Sequence, residues 1–118
     1  MRELIERLEK ATGPDRDLDE AILKSFGIHS WAGRMSYQDG PLWIDFGSSE
    51  ITASIDAAVA LTERVLPDVG WSVATNRIDR RRVARLWTGE IDDGKAHAGA
   101  SPAIALCLAI LRAKEDSA

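Results

Sequence analysis

Apolar residues recur at helical spacing in four stretches of the chain and fall at strand spacing in three others. Over 2–11, Leu4, Ile5, Leu8 and Ala11 share one face. Glu3–Arg7 and Glu6–Lys10 add i,i+4 pairs in the favourable order, and Gly13-Pro14 ends the segment. A second helix is expected over 17–26, capped by Asp17 with Glu20 three residues on, and striped by Leu18, Ala21, Ile22 and Phe26. Gly27 suits a left-handed stop. Residues 1–27 therefore read as a helical arm or hairpin.

Residues 28–50 are punctuated by Gly33, Gly40, Pro41 and Gly47, and only Leu42-Trp43-Ile44-Asp45-Phe46 reads as a strand. Ser54 caps a third helix over 54–66, with Asp56 in its first turn and Ile55, Ala58, Val59, Thr62, Val65 and Leu66 on its buried face. Residues 71–76 and 81–88 are two strand-like runs joined by a turn at Ile78-Asp79. Asp92-Asp93-Gly94 signals another turn. Ser101 then caps a last helix with Pro102 at its first position, where the missing N–H costs nothing. This helix is apolar on nearly every side from Ala103 until Arg112, the pattern of a central helix or one shared with a second subunit.

The order helix, helix, strand, helix, strand, strand, helix predicts an α+β fold. Its sheet, antiparallel or mixed, would have about three strands sandwiched by about four helices. At 118 residues this is one sandwich domain over 1–118, with the helical arm as its N-terminal part. The 45% hydrophobic and 29% charged content excludes a disordered chain, a collagen-like repeat and a coiled-coil rod. The longest apolar run, Ala103–Leu111, is far short of the about 20 residues that span a bilayer, so no membrane partner is expected. The charged start, Met1 to Arg7, is no secretory signal, and a single cysteine suits a reducing cytoplasm.

The net charge of −4 is segregated. Residues 71–88 hold five arginines against one acid, whereas residues 28–70 hold two basic and six acidic groups. The five are Arg77, Arg80, Arg81, Arg82 and Arg85, with Trp87 close by. On a strand, Arg81 and Arg85 share a face with Val83 and Trp87, and Arg82 lies opposite. Arginine beside tryptophan serves single-stranded nucleic acids, with charge for phosphate and a ring for the base. The same pair dominates protein interfaces, where the arginines would meet acids of a partner or a second copy. A solvated hairpin that deters edge pairing is the plain alternative.

Four blocks of the chain resemble the small phage and prophage proteins that carry a phage ABA sandwich domain. They are Thr52-Ala53-Ser54-Ile55-Asp56-Ala57-Ala58-Val59-Ala60-Leu61, Leu66-Pro67, Gly70-Trp71-Ser72-Val73 and Ser101-Pro102-Ala103-Ile104-Ala105-Leu106-Cys107. Ala11-Thr12-Gly13-Pro14-Asp15-Arg16-Asp17-Leu18-Asp19 is similar too. The resemblance implies an α/β/α-type sandwich and a phage context, and no reaction. Its matching positions are mostly caps and core residues, which a shared fold needs whatever its chemistry.

Other constellations read as structure. Asp15, Asp17 and Asp19 imitate a calcium loop, but Glu20 and Phe26 stand where that loop needs Gly and Glu. His29, His97 and Cys107 are isolated, and Cys107 lies in the most apolar helix, where a thiol is inert. Ser48, Ser49 and Ser101 lack an obvious His/Asp setting. Gly94 to Ser101 is the nearest approach to an anion-binding loop, with the backbone of Ala103 and Ile104 as the expected contact. No spacing singles out a pair among Asp45, Glu50, Asp92 and Asp93. The reading is thus a non-catalytic phage-type accessory protein in the cytoplasm of a bacterial host, needing no cofactor and working by protein contact or as a homodimer. A nucleic-acid binder using Arg77–Arg85, or a phage-encoded inhibitor of a host factor, are the alternatives.

Overall fold

The structure, a computed structural model, describes residues 2–75, 82–88 and 96–116. Helices α1 (Arg2–Lys10) and α2 (Arg16–Ser25) form where their stripes predict. Ile5 and Leu8 of α1, and Leu18, Ile22 and Leu23 of α2, are buried. The cap of α2 is a correction: Asp15, not Asp17, takes the N-cap, its Oδ1 accepting from Leu18 N–H at 3.1 Å. Thr52 Oγ1 accepts the Asp15 N–H at 2.9 Å, which holds Asp15 extended and starts the helix two residues early. Asp17 lies in the first turn, where the helix dipole still favours it.

Strands β1 (His29–Trp31), β2 (Arg34–Asp39) and β3 (Leu42–Ser48) form an antiparallel meander. Ala32 and Gly33, both at positive φ, join β1 to β2, and Gly40 (φ 60) with Pro41 joins β2 to β3. Helix α3 (Ile55–Val65) follows, its Ser54 cap accepting from Ala57 N–H as the sequence predicts. Strands β4 (Val69–Thr75), β5 (Arg82–Thr88) and β6 (His97–Gly99) make a second antiparallel sheet. Helix α4 (Pro102–Asp116) closes the described chain, with Ile104 N–H donating to Ser101 Oγ at 3.2 Å.

The α+β class is as the pattern predicts, and both sheets are antiparallel. The strands, however, fall into two sheets of three among the described residues, where the pattern led to one. Strand β1 is only three residues long, and β2 and β6 carry polar or small residues on their outer sides, so none of them shows the apolar run by which a strand is recognised. Among the described residues, α2 and α3 pack on the first sheet through β1 and β3, and α4 packs on the second through β4, β5 and β6. The β4–β5–β6 sheet lies on α4, α4 lies on α1 and α3, and α3 meets β3. Ala103 to Leu111 are all buried, so the all-round apolar perimeter of α4 is occupied within its own chain. Arg112–Glu9 (3.1 Å) and Arg2–Glu115 (3.4 Å) tie α4 to α1 at the surface. Among the described residues, no helix is long and apolar enough to cross a membrane.

Candidate functional site

The open face of β1–β2–β3 gathers chemistry that the sequence scatters. Pairing sets Trp31 beside Arg34, His29 beside Ser36, Ser36 beside Asp45, and Gln38 beside Trp43. Residues paired in register share a face, so these side chains stand together and Met35 and Tyr37 point the other way. On that inner side Met35 is buried, Tyr37 meets Phe46 with ring centroids 5.6 Å apart, and Arg64 of α3 lies 3.7 Å from the Tyr37 ring centre. The anchored inner face is what holds the outer one in position.

A bulge shapes the outer face. The register shifts between Met35 and Ser36, leaving Phe46 of β3 unpaired and swinging Asp45 towards Arg34. Arg34 Nε then donates to both Asp45 oxygens (3.2 and 3.1 Å) and Nη2 donates to Oδ1 at 2.9 Å. This fork, helped by the Gly47 N–H, holds the Asp45 carboxyl below its ordinary range. Across the central strand, His29 of β1 and Trp43 of β3 meet edge to face, centroids 4.8 Å apart at 85°. Trp31 is 81% exposed and Trp43 56%, an unusual outlay of tryptophan surface on one small face. Between these groups lies a cleft of about 540 Å³ lined by His29, Trp31, Arg34, Ser36, Trp43 and Asp45.

The arginine hairpin is described in part. Arg77, Arg80 and Arg81, with the turn at Ile78-Asp79, lie outside the described residues. Arg85 is exposed and shares the open face of β4–β5–β6 with Val83 and Trp87, while Arg82 lies on the α4 side, as the alternation predicts. The Trp87 indole lies across Gly70: a Cβ there would stand 2.8 Å from Cζ2 and nearer still to Nε1. Gly70 is thus a packing requirement.

The remaining candidates serve the fold. Asp19 is buried and accepts from Thr52, and Asp15 caps α2, so two acids of the calcium-like series are committed. No group of three His, Cys, Asp or Glu side chains converges on a metal site among the described residues. Cys107 is buried, its Sγ 3.5 Å from the Ile51 carbonyl oxygen, and burial pushes its thiol well above the ordinary range. The anion-loop reading is corrected where it is described. His97–Gly99 is strand β6, Ser101 occupies the Ile104 N–H, and a Cβ on Gly99 would meet Ala105 N at 2.7 Å. Gly94 and Lys95 lie outside the described residues, as do Asp92 and Asp93; Glu50 pairs with Arg16 at 3.6 Å.

Sequence reasoning missed Trp31, Arg34 and Ser36 altogether, and considered His29 and Asp45 only one by one. The usable signal was the alternation of Met35 and Tyr37 with polar residues, followed by Asp39-Gly40-Pro41. No protein-family model, curated protein or solved structure matches the chain.

Proposed function

We propose that this protein is a non-catalytic binding module that acts by contact through the outer face of β1–β2–β3. The observation that carries the reading is Trp31 and Trp43 exposed on one face with the Arg34–Asp45 pair. Tryptophan and arginine are the residues in which contact energy concentrates. The resemblance to phage ABA sandwich proteins extends this proposal to an accessory role in the cytoplasm of a bacterial host, including the blocking of a host factor. With α4 enclosed by its own chain, the second-copy idea now rests on the tryptophan face as well.

The test compares wild type with a Trp31→Ala/Trp43→Ala variant, both immobilised and exposed to bacterial protein and glycan fractions. A component retained by wild type alone, which rebinds saturably when purified, is the expected result. Equal retention by both proteins sinks the reading.

A second reading, nucleic-acid binding on the other sheet, is favoured by Arg85 and Trp87 sharing an open face. Titration with single- and double-stranded DNA and RNA tests it. The affinity should fall steeply with salt and weaken in Arg85→Ala. Silence at low salt, where the phosphate attraction is strongest, removes it.

A further inference from the structure

We propose that the cleft on the outer face of β1–β2–β3 binds a neutral pyranose sugar. The inference rests on the reading of this face as the recognition surface and names the chemistry of its ligand.

The cleft has two unlike walls and a small floor. Trp31, His29 and Trp43 run diagonally from β1 to β3 and form an aromatic wall, in which the edge-to-face contact with His29 fixes the Trp43 indole. The planar Arg34–Asp45 fork forms a polar wall. Ser36, on the central strand between His29 and Asp45, puts a short hydroxyl at the floor. The cleft volume of about 540 Å³ falls in the size range of small-ligand sites.

The walls select by charge and by hydrogen-bonding type. Arg34 and Asp45 cancel, so the cleft offers no net charge to an ion. Residues 28–70 carry two basic and six acidic groups, which opposes phosphate and other anions. The guanidinium in the wall opposes a cation seated against the indoles. A proline-rich peptide would satisfy the aromatic wall, but proline lacks an N–H to offer the Asp45 oxygens. The fork presents donor and acceptor side by side, because its bonds use Arg34 Nε and Nη2 and leave Nη1 for another partner. Adjacent sugar hydroxyls are each donor and acceptor at the same spacing. The C–H face of the ring, slightly positive, suits the negative face of an indole.

The experiment is an array of neutral oligosaccharides of gluco-, manno-, galacto- and N-acetylglucosamine type, with hits titrated by tryptophan fluorescence. Decaproline and a single-stranded oligonucleotide serve as competing probes. The expected result is saturable binding of at least one neutral sugar, unchanged by salt. It should weaken about tenfold or more in Trp31→Ala, in Trp43→Ala and in Asp45→Asn. All three positions are exposed, and unchanged thermal unfolding would show each variant folded. Asp45→Asn keeps the shape of the side chain, replaces one carboxylate acceptor with an amide and leaves Arg34 unneutralised, so an apolar docking surface would not respond to it. No sugar bound, binding indifferent to Asp45→Asn, or binding of decaproline or the oligonucleotide alone overturns the assignment. If no sugar binds while the double tryptophan variant still loses a purified component, the sugar is wrong and the binding face stands. If both experiments are blank, both fall.

Discussion

Thr52 delivers two hydrogen bonds to one oxygen of Asp19, from its backbone N–H at 2.8 Å and its hydroxyl at 2.7 Å. The same hydroxyl accepts the Asp15 N–H. One side chain thus ties the start of α2 to the turn before α3, across 33 residues of sequence. Thr52, Asp15 and Asp19 are thus accounted for by folding. Replacing Thr52 with Val keeps the shape and leaves buried polar groups short of partners. The expected loss is about 1–3 kcal/mol, read by denaturant unfolding.

Asp19 also sets a pH dependence. Burial raises its carboxyl above the ordinary 3.8, against the opposing effect of the Thr52 hydrogen bonds. The folded chain therefore holds this proton more tightly than the unfolded chain. The stabilisation is complete below about pH 3.8 and fades as pH rises through the higher folded value. Measured against Asp19→Asn, wild-type stability should decline from acid to neutral pH. A constant difference between the two proteins would contradict the shift.

The turn between β1 and β2 stores strain at Ala32, which sits at φ 51 without the freedom of glycine. A left-handed residue other than Gly or Asn costs about 1–2 kcal/mol. Ala32→Asn should raise stability by roughly 0.5–1 kcal/mol, since asparagine tolerates this conformation in a two-residue hairpin turn. A lower melting temperature for the variant would refute the assignment.

The Cys107 thiol should be silent to a disulfide reagent such as DTNB in the folded protein at pH 8 and react fully in denaturant. It is fully buried and burial opposes its ionisation. Rapid labelling without denaturant would show that α4 opens.

Gly99→Ala should destabilise by about 1–3 kcal/mol. The added Cβ would meet Ala105 N, a backbone atom in the first turn of α4, which cannot swing aside. Thermal unfolding of the variant reads the effect directly.

Capped, amphipathic elements were legible because their signals are local. Ser54 and Ser101 sit within four residues of the N–H groups they accept, and the stripe of α1 needs only its own turns. The α2 cap shifted to Asp15 because a residue far along the chain, Thr52, decided between two nearby acids. Strand β1 was illegible because it is only three residues long, β2 because its outer side is polar, and β6 because three small or polar residues resemble a loop.

The chain by itself determined an α+β protein with its Ser54 and Ser101 helix caps and the β4–β5 pair. Each of these follows from residues close in sequence. The tertiary structure alone decided that Trp31, Arg34, Trp43 and Asp45 share one open face. That outcome depends on strand register and on the bulge at Phe46, and a single-residue slip would turn the side chains of a strand to the opposite side. The fate of α4 was decided in the same way: its apolar perimeter required burial, and only packing against α1, α3 and the second sheet showed that its own chain supplies the cover.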